Sequence, residues 1–189
     1  GWSPAVPETM PAENVTIKAT WKINQYKVTW DIDGAKSEVT YNYGAVINVP
    51  TSPTKEGYTF VGWSPEVDST MPAQDMTYTA TWKANEYTVT WNVDGTESNE
   101  KYEYGKAITA PVNPAKEGYT FVGWSPTVDA TMPAKDVTYT ATWTINQYTI
   151  TFANTGDTVI DAITQDYATE VNAPSDPTKS GYTFSGWDK

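Results

Sequence analysis

Three residue types on which catalytic and structural chemistry often depends are missing from this chain of 189 residues: cysteine, histidine and arginine. Without cysteine there is no disulfide framework and no thiol nucleophile, so neither an oxidising nor a reducing compartment can be read from the sequence. Without histidine the commonest general base is missing, and without arginine so is the side chain that clamps anions through two parallel hydrogen bonds. We therefore expect no enzyme, no catalytic residue and no cofactor.

An excess of positive charge is also missing. The net charge is −11, and all 12 cationic side chains are lysines. Phosphate backbones and anionic membranes both require a basic protein surface. No apolar run approaches the roughly 20 residues that span a bilayer. The sequence therefore predicts neither nucleic-acid binding nor membrane insertion.

What the chain does contain is one aromatic phrase, repeated. The sequence GYTFVGWSP occupies residues 57–65 and returns unchanged at 118–126, and GYTFSGWDK follows at 181–189. The Gly-Trp pairs place Trp2, Trp63, Trp124 and Trp187 at intervals of 61, 61 and 63 residues. A fixed period of this length indicates a tandem array of small modules.

The residue types and their alternation predict β-strands. Leucine is absent, whereas there are 9 Trp and 13 Tyr, residues that suit a pleated, half-buried surface. In YKVTWDIDG, every second residue from Tyr26 to Ile32 is apolar, which is the period of a strand with one wet face. Asp33-Gly34 then supplies the backbone conformation of a tight hairpin turn.

Each repeat is predicted to hold four strands. In the first complete repeat the other three lie at 37–44, 57–63 and 77–82. Pro50 and Pro53 favour a connecting loop with at most one helical turn between the second and third strands. Only KANE separates Trp82 from the next repeat, so consecutive modules should be held closely. The fold class is therefore mainly β, α+β at most.

The repeat divides the chain into four segments. Two are whole modules, at 24–84 and 85–145. Residues 1–23 carry only the last strand of a preceding repeat, and residues 146–189 lack that strand. We hypothesise that the last strand of one copy completes the final repeat of another, in head-to-tail strand addition.

Four sequence patterns identify a family resemblance. They are Y-x-V-x-W, Y-x-Y-G, P-x-x-P-x-K-x-G-Y-T-F-x-G-W and M-P-A-x-D-x-T-Y-x-A-x-W. Together they span nearly the whole chain, which resembles the Listeria/Bacteroides repeat, the B-repeat family of internalin-type bacterial surface proteins. That resemblance implies compact β-grasp-like modules in tandem on the bacterial surface, as a stalk between a wall anchor and a functional head. The chain departs from the family pattern at Trp30 and Trp91, where Phe is common, and at Ala168, which replaces a glycine.

A metal site is the first candidate function for individual residues. Asp31 and Asp33, and Asp94 in the next repeat, are spaced like the first carboxylates of a calcium loop. No Glu closes that loop at the required spacing, and the third repeat reads ANTG at 153–156. A hairpin turn is the favoured interpretation, and no metal site is predicted.

Aromatic side chains are the second candidate. Exposed indole and phenol faces can stack on sugar rings, and a weak site repeated along a chain gains avidity. Trp30, Trp91, Trp63 and Trp124 are the candidate ligand contacts. The favoured interpretation is that they fill the core of a small module.

Two functions remain after these exclusions. The first is a non-catalytic, extracellular stalk or spacer that projects a head domain from the bacterial cell wall. The second is a multivalent adhesion module that binds a host glycan or surface protein through exposed aromatics. They differ in whether the aromatic side chains are exposed in the folded array, because a spacer does not require an exposed apolar patch.

Overall fold

The computed structural model describes residues 1–188 and divides the chain into two compact units, Gly1–Asn85 and Glu86–Lys189. Within residues 1–188 the chain forms β-strands and no helix, so the optional helical turn is not found and the mainly β class is confirmed. The strands of the first unit are β1 (Trp2–Ser3), β2 (Lys18–Ala19), β3 (Gln25–Ile32), β4 (Ala35–Asn42), β5 (Tyr58–Ser64) and β6 (Met76–Ala84). Those of the second unit are β7 (Glu86–Val93), β8 (Thr96–Glu103), β9 (Tyr119–Ser125), β10 (Val137–Ile145), β11 (Gln147–Ile150) and β12 (Ile163–Asp166).

Each complete module is a four-stranded mixed sheet. The first has the order β4-β3-β6-β5, and the second has the matching order β8-β7-β10-β9. The central pair is parallel, whereas each edge strand is antiparallel to its neighbour. The prediction of repeated β-modules is thus confirmed, and their β-grasp-like character stays a prediction.

A two-residue turn closes the first hairpin of each module. Strands β3 and β4 pair from Gln25 with Asn42 through to Ile32 with Ala35. Asp33 and Gly34 between them have φ angles of 52° and 92°, which glycine adopts far more readily than other residues. This turn is the one that Asp-Gly predicts.

Loops, and not a helix, cover one face of the sheet. Val28, Trp30 and Tyr78 from the central strands are buried together with Ile47 and Met71, which belong to the two loops that follow β4 and β5. The loops are tied to each other, because the N–H of Met71 donates to the carbonyl of Ala45 over 2.8 Å. The second module has an equivalent core.

In the second strand every second residue from Val39 to Tyr43 is apolar, which predicts one covered face, but these side chains are not equally buried. Tyr41 packs against the core, but Val39 and Tyr43 are exposed. The reason is topological, because β4 is an edge strand and the covering loops lie over the central pair. The alternation of apolar residues therefore predicts the strand, but it does not predict how many of its side chains the loops cover.

A buried phenol joins each core to its loop. The Tyr78 hydroxyl donates to Oδ2 of Asp68 over 2.9 Å, and the Tyr139 hydroxyl makes the equivalent 2.9 Å bond to Asp129. Burial, as the largest cause, raises the pKa of both phenols. Each phenol therefore keeps its proton to a higher pH in the folded module than in the unfolded chain.

This pKa shift predicts a loss of stability at alkaline pH. Unfolded tyrosine titrates near pH 10.0, so above that pH the unfolded chain binds fewer protons than the folded one, and the free energy of unfolding falls as pH rises. In urea titrations across this range, Tyr78→Phe should make the decline of the first module shallower. Tyr43→Phe, at an exposed tyrosine, is the matched control and should leave it unchanged. Equal slopes in the wild-type chain and Tyr78→Phe would contradict the assignment.

Candidate functional site at the joint between repeats

A single residue connects the second module to the third repeat. Strand β10 ends at Ile145 and β11 begins at Gln147, so only Asn146 lies between them. Its N–H donates to the carbonyl of Gly118 over 2.8 Å, and its own carbonyl accepts the N–H of Tyr167 over 2.8 Å. Asn146 is therefore hydrogen-bonded to a turn on each side of the joint.

The side chain of Asn146 adds a third bond. The Thr120 hydroxyl donates to its Oδ1 over 2.6 Å. The first unit repeats this pattern, since the N–H of Asn85 donates to the carbonyl of Gly57 over 2.9 Å and the Thr59 hydroxyl donates to Oδ1 of Asn85 over 2.5 Å. Asn85 and Asn146 thus make the same two hydrogen bonds to the module that precedes them.

Aromatic rings pack over the same joint. The ring of Tyr167 lies 6.2 Å from that of Tyr119 and 6.1 Å from that of Tyr148, both edge to face. An ideal Cβ on Gly118 would overlap the Tyr167 ring, so the residue at this position must be glycine for the ring to lie there. The negative charge of Glu117, followed by partial burial, raises the pKa of Tyr167. The Tyr167 phenol therefore keeps its proton to a higher pH here than an isolated tyrosine does.

Sequence reasoning predicted a short connection but missed these contacts. The predicted connection at 83–86 is shorter in the structure, because β6 continues to Ala84 and β7 begins at Glu86. The signal available in the sequence was the recurrence of asparagine at 24, 85 and 146, always 61 residues apart. Nothing in that spacing indicates which turns the asparagine would bond.

The candidate metal ligands make other contacts. Oδ1 of Asp31 accepts the N–H of Gly34 over 2.8 Å, which caps the hairpin turn. Asp33 pairs with Lys55 and Asp94 pairs with Lys116, each at 3.1 Å. Within residues 1–188, no group of three or more carboxylate, imidazole or thiol side chains is arranged to hold a metal ion. Calcium binding therefore has no converging ligand set in this part of the chain.

The candidate ligand-binding tryptophans lie in or against the cores. Trp30 is only 4% exposed and Trp91 only 2%, so the ring faces of both are covered by the module. Trp63 is half-buried with its ring 4.8 Å from that of Trp30, and Trp124 lies 4.8 Å from Trp91. These rings therefore pack against each other at the two cores.

Residues 1–188 contain no helix with the length and apolar character needed to cross a membrane.

The fold and the joint together define a class, the tandem-repeat β-proteins in which a very short connection separates consecutive modules. The particular family follows from comparison with known families. The model of the Listeria-Bacteroides repeat domain matches residues 26–85, 87–146 and 148–189. The chain therefore belongs to the Listeria-Bacteroides repeat family, and the resemblance given by its motifs is confirmed.

Curated relatives carry similar sequence over part of their length. A protein described as a Gly-rich membrane protein of Evansella cellulosilytica is 34% identical over 94% of this chain, and a second membrane protein of that organism is 32% identical over 92%. Internalin H of Listeria monocytogenes is 35% identical over 62% of the chain. The matched regions make up 23%, 29% and 24% of these relatives, so the chain spans about a quarter of their length.

Proposed function

We propose that this chain is a non-catalytic, extracellular spacer. It forms part of a stalk that projects a head domain from the wall of a bacterial cell. The observation that carries the proposal is the joint, where one residue separates two repeats and bonds to both. A connection of one residue restricts the relative motion of its neighbours far more than a flexible linker does. Membership of a family that includes internalin H supports the placement at the cell surface.

The topology of one module also suits a spacer. Its first strand, β3, and its last strand, β6, are parallel neighbours in the sheet. The chain therefore enters the module at one end of the sheet and leaves it at the opposite end. A module of this kind adds length to a chain, whereas one whose first and last strands were antiparallel neighbours would return the chain to its starting point.

Charge and chemistry fit the same role. A net charge of −11 opposes non-specific association at the cell surface. Acidic residues recur in every repeat, and Asp33 and Asp94 pair with lysines, an arrangement that does not provide the unique carboxylate pair of a glycosidase. The proposal therefore includes no substrate and no cofactor.

The adhesion alternative needs an exposed aromatic surface in each module. The burial of Trp30 and Trp91 weighs against two of its four candidates, and Trp63 and Trp124 pack against them. Tyr43 is exposed in the first module but its counterpart Tyr104 in the second is half-buried, so no exposed aromatic recurs in both complete modules among the described residues. Saturable binding of a glycan or matrix protein, with a shift in tryptophan fluorescence, would support adhesion instead.

The stiffness of the joint can be measured as a distance distribution. Because the chain has no cysteine, spin labels can be attached specifically at Lys135→Cys and Val159→Cys, one on each side of the joint. Pulsed electron resonance should give a narrow distribution in the labelled parent. Tyr167→Ala removes the ring that packs over Gly118 and should broaden it.

Tyr43→Ala is the matched control for this experiment. Tyr43 occupies the corresponding position of the first module and is exposed, so its replacement should leave the distribution narrow. A broad distribution in the labelled parent would show that the repeats move independently and would contradict the stiff spacer. An equally narrow distribution in Tyr167→Ala would show that the ring does not fix the joint.

A further inference from the structure

We propose that Tyr119 and Tyr167 form a site of oxidative cross-linking, at which a one-electron oxidant joins the two rings by a carbon–carbon bond. The rings belong to consecutive repeats, so the bond fastens the joint between them covalently. This reactivity goes beyond the spacer function and does not rest on it. The residues that form the site lie between Gly118 and Tyr167, in the interior of the chain.

The two phenol rings are already in contact. Their centroids lie 6.2 Å apart and their planes meet at 74°, edge to face. Tyr119 begins strand β9 of the second module, whereas Tyr167 follows strand β12 of the third repeat. Both side chains are half-buried. Each ring is therefore near enough to the surface to lose an electron to an oxidant, and is covered enough to be held in place.

The backbone fixes the position of one ring relative to the other. The N–H of Tyr167 donates to the carbonyl of Asn146, and the N–H of Asn146 donates to the carbonyl of Gly118, each over 2.8 Å. Gly118 directly precedes Tyr119 in the chain. Reacting groups that are held close together in this way combine far more readily than groups that must meet by diffusion.

A reactive carbon of Tyr167 faces the second module. In a phenoxyl radical the unpaired electron is shared between the oxygen and ring carbons, and tyrosines couple through Cε, the carbon beside the one that carries the hydroxyl. An ideal Cβ on Gly118 would lie 2.6 Å from Cε1 of Tyr167. The carbon that forms the bond is therefore packed against the residue next to Tyr119.

The reaction balances with a peroxide as the oxidant. Each phenol loses one electron and one proton, which gives two phenoxyl radicals. The radicals couple between their Cε carbons, and the hydrogen on each of these carbons then moves to its phenol oxygen. The chain loses two hydrogen atoms in total, and hydrogen peroxide takes them up to form two molecules of water.

Neighbouring charges are compatible with this reaction. The negative charge of Glu117 is the largest cause of the raised pKa of Tyr167, so this carboxylate lies near the phenol and can accept its proton. The ammonium of Lys116 lies 4.5 Å from the Tyr119 ring, but it pairs with Asp94 at 3.1 Å, which offsets its effect on the loss of an electron. The chain has no cysteine that could reduce a tyrosyl radical.

Tyr148 is the competing partner for Tyr167. The two rings lie 6.1 Å apart, but both belong to the third repeat, so a bond between them would leave the joint unfastened. The packing of Cε1 of Tyr167 against Gly118 favours Tyr119 instead. The test must therefore distinguish these two products.

Oxidation of the dilute chain with hydrogen peroxide and a haem peroxidase tests the site. The intact mass should fall by two hydrogen atoms, without formation of dimers. Because the chain has no arginine, trypsin cleaves it only after lysines and separates Tyr119, in peptide 117–135, from Tyr167, in peptide 136–179. The oxidised chain should yield these two peptides joined. A bond between Tyr148 and Tyr167 would instead close a loop within peptide 136–179.

Three variants test the assignment. Tyr119→Phe and Tyr167→Phe each keep the ring but cannot form a phenoxyl radical, so each should abolish the joined product. Gly118→Ala displaces the Tyr167 ring and should lower the yield several-fold. Tyr43→Phe, at an exposed tyrosine, is the matched control and should leave the yield unchanged.

The proposal fails on any of three results. The first is a wild-type chain whose peptides 117–135 and 136–179 stay separate after oxidation, with or without a loop inside the second peptide. The second is a joined product that persists in Tyr119→Phe or Tyr167→Phe. The third is an undiminished yield in Gly118→Ala, which would show that the coupling does not depend on the contact between the rings.

Discussion

Trp91→Ala should unfold the second module under conditions in which the first remains folded. The Trp91 ring is buried and lies 4.8 Å from that of Trp124 and 5.1 Å from that of Tyr139. Truncating a buried aromatic to alanine costs about 3–5 kcal/mol. A module of this size is stable by roughly 3–9 kcal/mol in total. Urea unfolding followed by near-ultraviolet circular dichroism should therefore change from one transition to two.

Trp91→Phe is the control that isolates the loss of packing. Phe152 stands at the corresponding position of the third repeat, so an indole is not required there. Within residues 1–188 no protein group accepts a hydrogen bond from Nε1 of Trp91, so phenylalanine removes no bond between protein groups. We expect a loss of less than half that of Trp91→Ala, with a single transition retained. A Trp91→Ala variant that unfolds like the wild-type chain would show that this residue does not belong to the core.

Gly118→Ala should displace the aromatic packing at the joint. Gly118 has a φ of 75°, which costs an alanine about 1–2 kcal/mol, and its new Cβ would overlap the ring of Tyr167. The ring must move, so nuclear Overhauser effects between Tyr119 and Tyr167 should disappear. Amides of β11 and β12 should exchange about tenfold faster, corresponding to about 1.4 kcal/mol.

Gly44→Ala separates the overlap from the backbone strain. Gly44 also has a φ of 75°, but nothing lies within 4 Å of a Cβ placed on it. Both variants therefore share the strain, and only Gly118→Ala produces the overlap. Unchanged exchange in β11 and β12 of Gly118→Ala, or an equal acceleration of the amides around Gly44 in Gly44→Ala, would contradict a role for the ring.

The strands of the complete modules follow from the sequence because local patterns determine them. Alternation of apolar residues predicted β3, which begins at Gln25, one residue before the predicted start at Tyr26. Asp33-Gly34 predicted the turn because few other residue pairs adopt its backbone angles. A repeated sequence then gave the same prediction for the next module.

The coverage of the sheet could not be predicted in the same way. Ile47 and Met71 lie in loops without periodicity, and Met71 is among the most buried side chains. Their burial depends on how the loops fold back over β3 and β6, which involves residues distant in sequence. The exposure of Val39 has the same origin, since the pattern of a strand does not reveal whether it lies at an edge.

The contacts at the joint could not be predicted either, because they also join residues distant in sequence. Asn146, between β10 and β11, and Tyr167, in the turn after β12, are 21 positions apart, so only the folded chain shows that they meet. For Asp31 and Asp33 the sequence suggested a shared contact, calcium binding, that the folded chain does not bring together. The spacing is real, but the turn directs one carboxylate to the N–H of Gly34 and the other to Lys55.

The parallel pairing of the first and last strands also has a mechanical consequence. Strand β3 carries the chain into the module and β6 carries it out, and they pair directly at Val28 with Met76 through Asp31 with Thr79. A force that pulls the two ends of the module apart acts along this ladder and shears its hydrogen bonds together. Antiparallel terminal strands would instead separate one bond at a time, so this sheet is arranged to bear tension.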